Sequence, residues 1–185
     1  MRVIAGSAKG RILKAPAGLA TRPTSDKVKG ALFNILAPRL AGSYVLDLFA
    51  GTGALSIEAL SRGAAGAVLV ESSRNAQRVI TSNLEICRLS SQAQLVGGEV
   101  AKIIPQLKPA SLINIVFMDP PYHQGLVEQT LAILGTVTYL EPRVVVVAEH
   151  HRQEPIPERI GGFVRNRVVT HGDTSLSFFT REEIV

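Results

Sequence analysis

A single cysteine, Cys87, stands in a chain of 185 residues. That excludes a disulfide framework and makes the reducing cytosol the default compartment. Without a companion Cys or His cluster it also argues against structural zinc, and no metal is expected. No apolar run reaches the roughly 18–20 residues that span a bilayer. The opening MRVIAGSAKGR lacks the apolar stretch of a secretory signal. No membrane partner is expected. Charged residues are only 19% of the chain and apolar residues 46%, which excludes disorder over most of its length and fits one domain, residues 1–185, with a single core. Acids are scarce at one end. Residues 1–40 hold eight Lys/Arg against Asp26 alone, a net of +7, whereas residues 41–185 sum to −2. The basic pI of about 9.7 therefore belongs to the first fifth of the chain. A basic segment on a near-neutral body is either a solvated surface or the footprint of a polyanion partner.

What is present is an alternation. Residues 2–5 and 11–14, parted by GSAKG, read as a small hairpin or a mobile basic arm within residues 1–25. Thr24 or Ser25 can cap a helix from about Asp26 to Ala37, ended by Pro38. Strands are predicted at 44–49, 67–71, 94–96, 113–119 and 144–149, with helices at 53–62, 73–89, 100–107 and 126–134 between them. Such βαβ units imply a parallel sheet with helices on both faces. Runs 163–170 and 175–181, joined by HGDT, add an antiparallel hairpin, so an α/β sheet of seven strands, mostly parallel, is expected.

Between the first strand and first helix lies VLDLFAGTGALSIEAL (45–60). Gly51 and Gly53 lack Cβ, so a ligand can approach the backbone. The spacing is neither the dinucleotide G-x-G-x-x-G, since Ser56 holds the third glycine's place, nor a P-loop, since no Gly-Lys-Ser/Thr follows. A glycine pair alone would be an ordinary tight turn. Acids change that reading, because Asp47, Glu71, Glu99 and Asp119 accompany the ends of strands one to four. Carboxylates near a core are costly without partners, and they suit a donor-rich, nucleoside-like ligand at the carboxyl edge of the sheet. The fourth strand then runs into FMDPPYHQG (117–125), a carboxylate, a double proline and an aromatic ring where a helix would normally begin.

LDLFAGTG and DPPY resemble the cofactor loop and the amine-methylating motif of Rossmann-like class I S-adenosylmethionine-dependent methyltransferases. RVIAGSAKGRILKAP, RPTSDKVKGALFNIL (22–36), LDLFAGTGALSIEALSRGA (46–64) and VE (70–71) extend the likeness over nearly the whole chain, to the bacterial 16S rRNA guanine-N2 methyltransferases of the RsmD family. Gly30 departs from that family, which usually carries an acid there, and Glu99 stands where Asp is more common.

The resemblance implies S-adenosyl-L-methionine as cofactor and 16S rRNA or the 30S subunit as partner; the sequence does not show the oligomeric state, and a cytoplasmic monomer is the default. Asp47, Phe49, Gly51, Gly53, Glu71, Glu99 and Val100 would form the cofactor site: Asp47 anchoring the loop and the methionine amino group, the glycines admitting the methionine portion, Glu71 accepting from the ribose hydroxyls, and Glu99 or the Val100 amide reading adenine. The competing role for Glu99 is an acid favoured by a helix N-terminus. Asp119 and the Pro120 carbonyl would accept from the two N–H bonds of an exocyclic amine, Pro121 would lock their angle, and Tyr122 would stack on the base. Arg2, Lys9, Arg11 and Arg22 would contact RNA, through phosphates within residues 1–25; Arg22 could lie near the cofactor or the target nucleotide, or equally be a surface residue packing on the following helix. His150 and His151 point opposite ways on a strand and read as structural, His123 as incidental or an RNA contact, and Cys87 as helix packing. DPPY alone also fits adenine-N6 methylation of DNA or RNA.

Overall fold

A computed structural model describes residues 1–15 and 26–182. Its elements are α1 (Asp26–Leu40), β1 (Tyr44–Leu48), α2 (Ala54–Ser61), β2 (Gly66–Glu71), α3 (Arg74–Cys87), β3 (Ala93–Gly97), α4 (Val100–Ile103), β4 (Ile113–Met118), α5 (Leu126–Leu134), β5 (Leu140–His151), β6 (Arg159–Ile160), β7 (Phe163–His171) and β8 (Thr174–Arg181). All eight strands join one sheet in the order β3-β2-β1-β4-β5-β8-β7-β6. The first five are mutually parallel, and β8, β7 and β6 close it antiparallel.

Side-chain alternation divides the core between the two faces. Val45, Leu69, Ile115, Phe117, Val145 and Val147 pack with α1, α2, α3 and the N-terminal segment. Leu46, Leu48, Val68, Val70, Val116, Met118, Val146 and Ala148 pack with α4 and α5. Both faces of the parallel strands are therefore covered, which is why β1, β2 and β4 read as continuous apolar runs. Among the described residues, no helix is long and apolar enough to cross a membrane.

Several expectations are corrected. The sheet has eight strands rather than seven, because the two-residue β6 adds an edge. Pro38 does not end α1 but sits inside its last turn. Leu40 beyond it is 3% exposed, and burying that side chain offsets the hydrogen bond a proline cannot donate. Residues 100–107 do not form one α-helix: α4 stops at Ile103 and a 3-10 turn, Ile104–Gln106, follows around Pro105. β5 starts at Leu140, ahead of the expected 144, and its pairing with β4 shifts register between Ile113 and Ile115, so that Glu141-Pro142-Arg143 bulges out of the ladder.

Residues 1–14 form a docked hairpin, not a mobile arm. Arg2 bridges Ile12, the Val3 and Gly10 amides donate to Arg11 and Val3 carbonyls, and Val3, Ala8 and Leu13 are buried in the core. The dock is polar as well as apolar. The Ile4 and Ala5 amides donate to the two Glu58 carboxylate oxygens at 2.8 and 3.0 Å, and the Ala8 amide donates to Ser61 Oγ. Lys29 reaches from α1 to within 3.4 Å of the same carboxylate and donates to the Arg2 carbonyl. Thr24 and Ser25, the expected caps of α1, lie outside the described residues.

Candidate active site

The turn after β1 is built by left-handed backbone. Phe49, Gly51 and Gly53 have φ of 63°, 58° and 75°, a region that costs a side-chain-bearing residue such as Phe49 on the order of 1 kcal/mol. The two glycines serve different ends. A Cβ at Gly51 would meet nothing nearer than the Phe49 carbonyl oxygen at 3.9 Å, leaving the backbone open to a ligand. A Cβ at Gly53 would press on Leu69 Cδ2 at 3.2 Å and Ile80 at 3.5 Å. The missing atom at Gly53 therefore lets α2 close on the sheet, a packing role that the sequence alone did not show.

Three side chains brace this turn. Glu71, the last residue of β2, accepts from the Gly51 amide on Oε2 and from the Ser73 amide on Oε1, each at 2.8 Å, tying the turn after β1 to the turn after β2. Asn83 of α3 donates to the Thr52 carbonyl at 3.0 Å and to the Lys14 carbonyl at 3.1 Å, and accepts from the Lys14 amide at 2.8 Å, so one buried amide links turn and hairpin. Asp47 is 2% exposed and takes both the Ser56 amide (3.2 Å) and hydroxyl (2.9 Å) on Oδ2.

Burial pushes the Asp47 carboxyl up to about 7, against the Ser56 hydrogen bonds that favour its charge and with a smaller upward push from Glu71. The folded state thus holds a proton that the unfolded chain releases near pH 4. Stability should fall as pH rises from about 4 to 7 and level off above, by a few kcal/mol. Asp47→Asn keeps an acceptor for Ser56 but cannot ionise, so its denaturant midpoint should exceed the wild type's at pH 8 and converge with it near pH 4. Equal pH dependence in both proteins would contradict the assignment.

At the end of β4 the period of two carries Asp119 onto the face that holds Ile115 and Phe117. The same alternation puts Asp47, Glu71 and Glu149 on that face, beside Val45, Leu69 and Val147. Pro120 is buried and Pro121 exposed. His123 turns left-handed at φ 61°, and Gly125 begins α5. The Asp119 carboxyl is held well above the usual carboxylate range, first by burial, then by Glu149 and Asp47. The Tyr122 hydroxyl donates to Glu149 Oε1 at 3.0 Å and lies 3.5 Å from Thr174 Oγ1. Burial raises its own pKa, so it stays a donor. His151 lies 6.1 Å from Tyr122 and 5.0 Å from His123, ring centre to ring centre. His150 points the other way, its Nε2 2.8 Å from Ser177 Oγ, and burial lowers its pKa.

Among the other expected residues, Glu99, Arg2, Lys9 and Arg11 are exposed or engaged by near neighbours. Glu99 occupies the N-cap position of α4 without a side-chain cap bond, and its exposed carboxylate pairs with Lys102 at 2.7 Å; Val100 beside it is buried. Lys9 is exposed, Arg2 is exposed with Asp26 at 3.8 Å, and Arg11 is half-buried, donating to the Ile86 carbonyl near the end of α3. Arg22 lies outside the described residues. Two residues escaped the sequence reading. Glu149 ends the fifth strand expected at 144–149, a signal of the same kind as the other four acids, although β5 runs on to His151. Asn83 gives none, since nothing in a helical Asn marks a cross-brace 31 residues from Thr52.

The strand order, the glycine turn after β1 and the acid-proline motif after β4 define a Rossmann-like class I methyltransferase fold. Within that class, the family described as Conserved hypothetical protein 95 matches residues 1–180, and the chain belongs to it, the RsmD family. The Bacillus subtilis (strain 168) protein YlbH is 39% identical over 182 residues, covering 98% of this chain and 99% of its own. Ribosomal RNA small subunit methyltransferase D of Escherichia coli (strain K12) is 34% identical over 182 residues, 98% of this chain and 90% of its own. The solved structure of the Escherichia coli protein yhhF superposes with a TM-score of 0.83 at 34% identity and 98% coverage of both chains.

Proposed function

We propose that the protein transfers a methyl group from S-adenosyl-L-methionine to the exocyclic N2 amine of a guanine in 16S rRNA. The observation that carries this reading is Asp119-Pro120-Pro121-Tyr122 placed one strand from the braced glycine turn, in a chain similar end to end to Ribosomal RNA small subunit methyltransferase D. The acceptor-rich edge fits the cofactor. Glu71 is fixed by two backbone donors, and its remaining lone pairs can accept from a vicinal diol. Gly51 is open, and Asp47 holds the turn through Ser56. Phe49, Gly51, Gly53, Glu71, Glu99 and Val100 are the proposed binding residues around it.

When bound, the cofactor supplies an electrophilic methyl group on a sulfonium. The protein's part is to present the amine. The lone pair of an exocyclic amine is delocalised into its ring; Asp119 and the Pro120 carbonyl, accepting one N–H each, draw the nitrogen toward tetrahedral geometry and aim the lone pair. Pro121 restricts the backbone that carries that carbonyl. Tyr122 offers its face to the extruded base. The nitrogen's extra proton leaves to Asp119 or to water once it has become acidic.

The docked hairpin gives RNA a basic rim near this edge: Asn83 joins it directly to the glycine turn, and Arg2 and Lys9 are exposed on it. They are the proposed phosphate contacts, with Arg11 and Arg22. Incubation with radiolabelled cofactor and, separately, 30S subunits, naked 16S rRNA and DNA tests the reading. Label should enter ribosomal RNA, in the assembled subunit or free. Label in DNA, or in nothing, contradicts it.

A further inference from the structure

Three rings meet at the carboxyl edge of β4 and β5. Tyr122 and His123, in the loop after β4, stand 6.4 Å apart between ring centres with their planes at 84°. His151, the last residue of β5, joins them from the neighbouring strand, tilted by 56° to Tyr122 and 53° to His123. Each ring has its own fastening. The Tyr122 hydroxyl donates to Glu149 Oε1 at 3.0 Å and lies 3.5 Å from Thr174 Oγ1. His151 accepts the Gln153 amide on Nδ1 at 3.3 Å. His123 takes a left-handed φ of 61°, a conformation costly for a residue with a Cβ, and its ring lies 5.0 Å from that of His151. Tyr122 is half-buried and His123 exposed, so aromatic surface stands open to solvent just past Asp119.

Two rings set nearly at right angles suit one ligand geometry. A base drawn out of its strand for chemistry turns away from its neighbour, so the two bases of that step no longer lie parallel. Unpaired RNA is commonly read through such splayed bases, stacked on aromatic side chains that include histidine. We propose that His123 stacks on the nucleobase adjoining the target while Tyr122 takes the target itself, and that His151 is a positioning residue that holds the His123 ring. The ligand is thus an unpaired dinucleotide step of RNA, gripped by one contact inside the DPPY motif and one just outside it. This rests on the RNA methylation proposed above and names how the base beside the target is held.

Ring and backbone can be varied separately. His123→Asn removes the ring but suits left-handed backbone, and should raise KM for the ribosomal substrate about tenfold, with kcat and cofactor affinity within about twofold of the wild type. His123→Phe keeps a flat face without the imidazole nitrogens, on a backbone that Phe49 already adopts at φ 63°, and should hold KM within about threefold. His151→Ala should raise KM by a smaller factor and add nothing to His123→Asn in the double variant, because it acts through that ring. A short single-stranded RNA with 2-aminopurine next to one guanosine reads stacking without catalysis. Its fluorescence should be quenched by the wild type and by His123→Phe, and markedly less by His123→Asn. Unchanged KM and equal quenching in His123→Asn overturn the proposal. An equal rise of KM in His123→Phe overturns it as well, and a shallower salt dependence would then place the imidazole on a phosphate. Additive losses in the double variant contradict the role of His151. Ring-dependent quenching by a protein that methylates no RNA would uphold the stacking site and overturn the reaction instead.

Discussion

Asp119→Ala should lower methyl transfer by about a thousandfold or more while leaving cofactor affinity within about twofold. Asp119 follows β4, whereas the groups proposed to hold the cofactor follow β1, β2 and β3. Its carboxyl braces neither the glycine turn, which is tied by Glu71 and Asn83, nor Asp47, which bonds to Ser56. Truncation therefore leaves the cofactor cradle built and removes one of the two acceptors that shape the amine. It also removes a carboxyl whose pKa burial, then Glu149 and Asp47, push upward, a group whose charge its surroundings disfavour, so the variant should be no less stable than the wild type. Asp119→Asn tests polarity: the amide presents donors where an acceptor is needed, and its rate should stay within about tenfold of the alanine variant's. Isothermal titration with the cofactor and single-turnover label transfer measure the two sides. Loss of cofactor binding in Asp119→Ala would mean that the residue belongs to the cofactor site.

Glu58→Leu should cost about 3–5 kcal/mol of stability, the typical penalty for stranding a buried charge. The Glu58 carboxylate is fully buried and collects four donors: the Ile4 and Ala5 amides, Arg62 Nε at 2.7 Å and Lys29 Nζ at 3.4 Å. Arg62 keeps some access to water, but Lys29 is fully buried too. Without Glu58, a lysine ammonium and two amides lose their acceptor, and the hairpin loses its polar dock. The melting temperature should fall by roughly 10 °C for a domain of this size, and amides of residues 3–13 should exchange faster. Pairing the change with Lys29→Met, which removes the stranded ammonium, should recover part of the loss. A fall of under about 2 °C in the single variant would show that the hairpin is not fastened here.

Much of this arrangement was legible because its signals are local. The apolar runs of β1, β2 and β4, the glycines at 51 and 53, and DPPY each announce an element or a turn within a few residues. What escaped depends on partners far along the chain. Ile4 meets Glu58 across 54 positions, so residues 1–14 looked equally like a mobile arm. Gly53 resembles Gly51 in sequence and differs only by the Leu69 and Ile80 side chains packed over it. Pro38 ends helices by its own chemistry, yet α1 runs on because Leu40 has a core to enter. Glu149 was readable as a strand-terminal acid; its bond to Tyr122 needed the register of β5.

The proposed reaction is tested most directly by the identity of the modified nucleoside. 16S rRNA treated with enzyme and isotopically labelled cofactor, digested to nucleosides and separated by mass spectrometry, should carry the label in N2-methylguanosine. Label in N6-methyladenosine would show that the Asp119–Tyr122 grip holds adenine, and unlabelled RNA would contradict the proposed substrate altogether.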